Sequence, residues 1–245
     1  MRKDIRLLAI ELLKSLKKHL RYRELRDIFN LPPPIIWRYI QGEVLPSPDR
    51  ANEILNTIIS KKVTKRIIEK EIEVYNGVVA TYKIIYKPSL LKLIGYEAYI
   101  KFKDLEPTAI VTAEVDGIPV ALAIADYFDA KVAIAKRRKE VGFRTYIEYS
   151  YLSHEPPSIT TLYLPSTLIT RKDRVLIVDD VLRTGRTLRA LIYLTKRTGA
   201  SIVGVFSVIA VGSRWHYLTD EVERIEIIYQ VEREFPPHLG SSYSY

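Results

Sequence analysis

The 245-residue chain has no cysteine, one methionine, two tryptophans and four histidines. The missing cysteine excludes disulfides and thiolate-held zinc, and is consistent with a reducing interior. The histidines His19, His154, His216 and His238 are scattered. None has the spacing of a metal-ligand pair, so no protein-held metal is expected. No apolar run is long enough to cross a membrane. The apolar stretch Leu7-Leu-Ala-Ile10 is interrupted by Glu11 and Lys14, which is unlike a signal peptide. The expectation is a soluble, cytoplasmic protein. What remains is a globular composition, 47% hydrophobic and 27% charged, sufficient for a core and unlike that of a disordered chain. The length allows one large domain or two smaller ones. Scarce methionine and cysteine with abundant Ile, Lys and Arg hint at a thermophile.

The chain is also short of negative charge, with a net charge of +9 that is unevenly spread. Residues 1–70 hold 16 Lys+Arg against 8 Asp+Glu, or +8, and the other 175 residues hold 22 against 21. Such asymmetry suggests a polyanion-binding module joined to a near-neutral one.

The basic segment reads as helices. Over residues 3–19, Ile5, Leu8, Leu12, Leu13 and Leu16 share one face. Tyr22 to Phe29 is a short second helix, broken by Asn30-Leu-Pro-Pro. Pro34 to Gln41 is a third, with proline in its first turn and Gly42 as its stop. Ser47 caps a fourth, whose apolar face is Ala51, Ile54, Leu55 and Ile58. Lys61 to Arg66 is a basic run, and Glu71-Ile-Glu-Val-Tyr75 alternates like a strand, which puts a domain boundary near residue 70. Two short helices joined by a tight turn resemble a helix-turn-helix DNA-binding domain. On its second helix Ile36, Tyr39 and Ile40 pack inward, while Ile35, Arg38 and Gln41 face the groove. Arg and Gln suit the edges of guanine and adenine. A helical dimerisation or lid domain is the alternative.

Beyond residue 70 the pattern is α/β. Residues 78–86 read as extended, Pro88 to Phe102 as helix, and Thr108 to Ala113 as a buried strand. Glu114-Val-Asp-Gly117 is an acidic turn before an apolar helix, Ile118 to Phe128. Lys131 to Ala135 is a strand, followed by Lys136-Arg-Arg-Lys139. Two tyrosine-rich stretches, 143–152 and 159–164, read as a hairpin-like excursion. Later strands cover Ser201 to Val211 and Arg224 to Tyr229, and the tail from Pro236 is expected to be poorly ordered. Alternating strands and helices predict a mostly parallel sheet.

The half is organised around Val175-Leu-Ile-Val-Asp-Asp-Val-Leu-Arg-Thr-Gly-Arg-Thr187. Four apolar residues make a buried strand, with Asp179 and Asp180 at its carboxyl end. A loop with a glycine and two threonines follows, and then a helix to about Thr198. Ligands of open α/β sheets bind beyond the carboxyl ends of the strands, and a helix N-terminus suits phosphate. The carboxylates suit vicinal hydroxyls or a divalent cation. A phosphate beside a diol describes a ribose 5-phosphate.

This stretch closely resembles the ribose-phosphate signature of type I phosphoribosyltransferases. The resemblance implies that Asp179 and Asp180 hold the ribose hydroxyls and that Thr184, Gly185, Arg186 and Thr187 wrap the 5-phosphate. It implies a pyrophosphate loop at Glu114, Val115, Asp116 and Gly117, with Arg137 and Arg138 as cations beside it. Residues 139–163 resemble the family's hood. The resemblance covers roughly residues 75–230. Joined to a helix-turn-helix module, the chain is similar to two groups of regulators, the purine repressor of low-GC Gram-positive bacteria and archaeal phosphoribosyltransferase-like regulators. These imply a homodimer, double-stranded DNA, and an effector such as phosphoribosyl pyrophosphate (PRPP), which carries Mg2+, or guanosine tetraphosphate. Arg183 stands where the enzymes usually have a small residue or an aspartate, and the repressors likewise have a basic one. It favours sensing over catalysis, so no catalytic residue is assigned. The fold class expected is α/β, an all-α helix-turn-helix domain over 1–70 followed by a type I phosphoribosyltransferase-like domain over 71–245. The alternative function is an active purine phosphoribosyltransferase with an extra N-terminal domain.

Overall fold

The computed structural model describes residues 4–75, 78–154 and 157–232. Five helices come first, α1 Ile5–Lys17, α2 Tyr22–Phe29, α3 Pro33–Gln41, α4 Pro48–Ser60 and α5 Val63–Glu71. Local chemistry sets their ends. The Asp4 carboxylate accepts the Arg6 N–H before α1, and Ser47 Oγ accepts the Arg50 N–H at 3.2 Å before α4. Asn30 and Gly42 close α2 and α3 in the left-handed conformation. A three-residue turn, 30–32, joins α2 to α3, and the two pack on each other and on α1.

Helix α1 buries more than one stripe: Leu8, Ala9, Ile10, Leu12, Leu13 and Leu16 are all covered. It lies between α3 and α4 on one side and α7, Pro88–Phe102, on the other. Ile5, expected on the buried face, is instead exposed, because it precedes those contacts in the first turn. The basic run 61–66 is not simply a module end. Lys61 and Lys62 make a turn, Lys61 Nζ caps α2 by donating to the Ile28 carbonyl, and α5 then buries Val63, Ile67 and Ile68. The expected strand from Glu71 shrinks to β1 Val74–Tyr75, paired antiparallel with β2 Val78–Val79. The extended reading of 78–86 fails after Val79, where α6 Tyr82–Ile85 forms. Ile84 and Ile85 are both fully buried. A strand would send adjacent side chains to opposite faces, whereas a helical turn beside α5 and α7 covers both.

The second half is a five-stranded parallel sheet ordered β4-β3-β7-β8-β9, formed by β3 Ala109–Ala113, β4 Lys131–Ala135, β7 Arg174–Leu182, β8 Ser201–Val211 and β9 Ile225–Val231. β5 Tyr146–His154 and β6 Pro157–Pro165 form a separate antiparallel hairpin; cross-strand pairing carries both stretches two residues further toward the tip than expected, while β5 starts at Tyr146 rather than at 143. The hairpin's tip and the tail from Pro236 lie outside the described residues. Strand β7 also runs further than its apolar core, to Leu182. Asp179 sits opposite Ser207 and Leu182 opposite Ala210, so the acidic pair lies inside the ladder rather than after it. Helices α7 and α8 (Gly117–Phe128) cover one face of the sheet, and α9 (Arg186–Thr198) with the hairpin covers the other.

One apolar core runs from Leu13 of α1 through Leu93 of α7 to Phe206 of β8. Helix α5 packs on α7 and β9. At this junction His19 Nδ1 donates to Glu71 Oε1 at 2.5 Å, and His19 Nε2 lies 2.7 Å from Ser89 Oγ. Lys87 Nζ donates to the second Glu71 oxygen at 2.6 Å.

Candidate functional site

Parallel strands put all their carboxyl ends on one edge. The chain leaves β3 toward β4 on one side, and leaves β7 toward β8 and β9 on the other. Open α/β sheets bind their ligands where the winding reverses, which here lies between the loops that follow β3 and β7.

Asp179 and Asp180 stand at this point. Asp179 is buried, and burial together with the neighbouring Asp180 charge pushes its carboxyl well above the usual range. Burial first, and the Asp116 charge next, push Asp180 in the same direction. Among the described residues no group of three or more His, Asp or Glu is placed to hold a metal ion, and Asp179 and Asp180 on β7 form a carboxylate pair that feels the Asp116 charge from the loop after β3. Such a pair favours hydroxyl donors or an added cation. The Tyr86 hydroxyl donates to Asp116 Oδ1 at 2.7 Å, and that bond pushes the phenol up. Tyr86 is adjacent to Lys87 of the junction with the helices.

The Glu114-Val-Asp-Gly117 turn is seated directly on the acidic pair. A Cβ on Gly117 would fall 2.2 Å from Thr112 Oγ1 and 3.6 Å from Asp179 Oδ1, so only glycine permits this approach. The Glu114–Val115 peptide is cis, and Val115 is exposed. Glu114 Oε1 accepts the Arg137 N–H at 2.7 Å, which ties this turn to the segment after β4. In that segment Lys136 pairs with Glu140, and Lys139 pairs with Glu148 at 3.1 Å. Arg137 and Arg138 are exposed, with no ion pair among the described residues.

After β7, Thr184 is half-buried and Gly185 adopts a left-handed φ of 76° as the N-cap of α9. No side chain caps that helix, so its first N–H groups suit an acceptor from outside the chain. Arg183 is half-buried with no ion pair among the described residues. Arg186 is partly committed, since its Nη1 donates to the Leu152 carbonyl of the hairpin at 3.1 Å. Thr187 Oγ1 lies 3.3 Å from the Tyr151 hydroxyl. The hairpin, the part likened to a hood, thus lies against this loop.

The structure brings the two loops read from the sequence together and adds four residues. Tyr86, Thr112, Tyr151 and Tyr217 touch the loops without belonging to either motif. Tyr151 had a signal, because it alternates with Tyr149 on one face of a strand. Tyr86, Thr112 and Tyr217 had none, as their contacts depend on how distant segments pack. Ile35, Arg38 and Gln41 belong to a separate place, on α3, which packs on α1 and α2. There Arg38 and Gln41 are exposed, Ile35 is half-buried, and Arg38 lies 3.6 Å from Glu43.

Residues 81–233 match the family described as phosphoribosyl transferase domain. A xanthine phosphoribosyltransferase of Pseudomonas fluorescens (strain Pf0-1) is 33% identical over 123 residues, 50% of this chain and 65% of that protein. The purine biosynthesis transcriptional repressor PurR of Bacillus subtilis (strain 168) is 29% identical over 129 residues, 53% of this chain and 45% of that protein. The chain thus spans less than two thirds of the length of these relatives. Among solved structures, the adenine phosphoribosyltransferase from Rhodothermus marinus superposes with a TM-score of 0.60 at 22% identity, over 69% of this chain and 99% of that one.

Proposed function

The chain belongs to the phosphoribosyl transferase domain family, and from that premise we propose that it is a DNA-binding transcriptional regulator sensing PRPP or a related phosphorylated nucleotide without transferring a base. The observation that carries this reading is the pair α2 and α3. It is joined by a three-residue turn, lies in a segment holding +8 of the net +9 charge, and shares one core with the ligand half. The likeness to a purine repressor supports it.

In this reading α3 enters the major groove of double-stranded DNA, with Arg38 and Gln41 at base edges and Ile35 beside them. Asp179 and Asp180 accept the ribose hydroxyls. The N–H groups of 184–187 and the two threonines take the 5-phosphate. The 114–117 turn, Arg137 and Arg138 meet the diphosphate, and Arg183 adds a cation. Mg2+ would arrive with the diphosphate rather than wait in a protein-held site, and the Asp179 and Asp180 carboxylates offer it hard oxygen donors. The protein works in the cytoplasm as a homodimer, and the ligand acts by binding the DNA-competent and DNA-incompetent states with different affinity.

The retained acidic pair and Thr-Gly-Arg-Thr loop, with relatives named xanthine phosphoribosyltransferase, favour a second reading as an active purine phosphoribosyltransferase. Arg183 separates the two in this reading, because a basic residue three positions after the acidic pair either clamps further phosphate or takes space that a base would need for transfer. The test is fluorescence anisotropy of duplex DNA from upstream of its own gene, at two salt concentrations, with and without Mg-PRPP. The regulator binds tightly, weakens steeply with salt and responds to PRPP. Binding no tighter than that of a generic basic protein, together with pyrophosphate release from PRPP and a purine base, would establish the enzyme instead.

A further inference from the structure

After β8 the chain makes a 3-10 turn, His216–Asp220, that leans on the loop before α9. The Tyr217 hydroxyl donates to the Thr184 carbonyl at 3.3 Å. Leu218 is fully buried. A Cβ on Gly185 would lie 2.8 Å from Leu218 Cδ1 and 3.0 Å from the Tyr217 hydroxyl. The need for glycine here therefore comes from this turn, on top of any approach by a ligand. The Tyr217 ring has its own anchor. The Arg189 guanidinium of α9 stands 5.9 Å from the ring centroid, and Arg189 Nε lies 3.4 Å from Glu221.

The Thr184–Gly185 peptide is trans, since Glu114–Val115 is the cis bond among the described residues. In a trans peptide the C=O and the N–H point in opposite directions. Holding the Thr184 carbonyl on the side of the 216–220 turn therefore aims the Gly185 N–H away from it. We propose that Tyr217 is a positioning residue for the phosphate loop, its hydroxyl fixing the Thr184–Gly185 peptide so that an N–H rather than a carbonyl faces the bound phosphate. This rests on the reading of 184–187 as the phosphate site. A carbonyl turned into that site would repel the anion, so peptide orientation alone changes affinity. Tyr217 need not touch the ligand.

The test compares the full-length wild type with Tyr217→Phe, which keeps the ring over Arg189 and removes only the hydroxyl. Ribose 5-phosphate binding is measured by calorimetry, and the Gly185 amide proton is followed by NMR. The loss of one neutral hydrogen bond should weaken ribose 5-phosphate binding about three- to tenfold. The downfield shift of the Gly185 amide on ligand addition should shrink in proportion. An exposed-site variant, Arg189→Met, loosens the ring without removing the hydroxyl and should cost about twofold, a fraction of that same bond. Equal affinity in wild type and Tyr217→Phe would overturn the proposal and leave the phosphate site standing. Weaker binding with an unchanged Gly185 shift would overturn it too, since the peptide would not have been the cause. A wild type that fails to bind ribose 5-phosphate would remove the phosphate site itself, and this proposal with it.

Discussion

Replacing Glu71 with glutamine should loosen the junction between the helical segment and the sheet half. The carboxylate takes His19 Nδ1 at 2.5 Å and Lys87 Nζ at 2.6 Å, with the His19 side chain 5% exposed and that of Glu71 20% exposed. Hydrogen bonds to charged groups contribute about 1.5–3 kcal/mol each. Glutamine keeps one acceptor oxygen but loses the charge, and Lys87 is 44% exposed, so its share is reduced by solvent. The expected loss is about 1–2 kcal/mol, or roughly 3–6 °C in midpoint for a chain of this size. Its pH dependence has a definite sign. Burial pushes Glu71 up, but the bonds from Lys87 and His19 outweigh it and hold the carboxyl below its ordinary 4.5. Its contribution is therefore fully present above that value and lost as pH falls through the lower folded one. The gap between wild type and Glu71→Gln should close in acid. Urea unfolding followed by tryptophan fluorescence reads this well. Trp37 lies exposed on α3 and Trp215 is buried in the apolar cluster under α9, so the two report the two halves. A double-mutant cycle with His19→Ala should give a coupling of about 1 kcal/mol. A coupling below about 0.3 kcal/mol, the usual error of additivity, would refute the reasoning.

Asp179→Asn with Asp180→Asn should raise stability near neutral pH, since an acid whose folded pKa is raised costs stability above its unfolded value. The same pair should abolish ribose 5-phosphate binding, so differential scanning fluorimetry and calorimetry move in opposite senses. Gly185→Ala should destabilise by about 1–2 kcal/mol, through a side chain forced into positive φ and against Leu218, measured by thermal unfolding. Arg38→Ala, on an exposed side chain, should leave the midpoint unchanged and weaken operator binding by about 1–3 kcal/mol, measured by anisotropy.

Much of this molecule is written locally. The bounds of α2, α7 and β4, the Ser47 cap and the apolar face of α4 follow from spacing and capping chemistry, which act within a few residues. The acidic pair and the Thr-Gly-Arg-Thr loop are legible for the same reason, because strand, turn and helix N-terminus are consecutive. Periodicity was less informative where burial is set by more than one neighbour. Ile5 fell outside the contacts of α1, and Ile84 and Ile85 were covered as a helical turn because α5 and α7 meet around them.

The sequence alone therefore determined most of the segments, their order and the two motifs on which the proposed ligand site rests. The tertiary structure decided what those motifs touch. The sheet order brings Asp116 beside Asp180, and packing puts Tyr86, 30 residues away, on Asp116 and Tyr217, 33 residues away, on Thr184. It also decided that Asp179 is buried and Asp180 half-buried, which pushes both carboxyls above their usual range. Desolvation and like-charge crowding depend on everything around a group in space, and no window of neighbouring residues contains them.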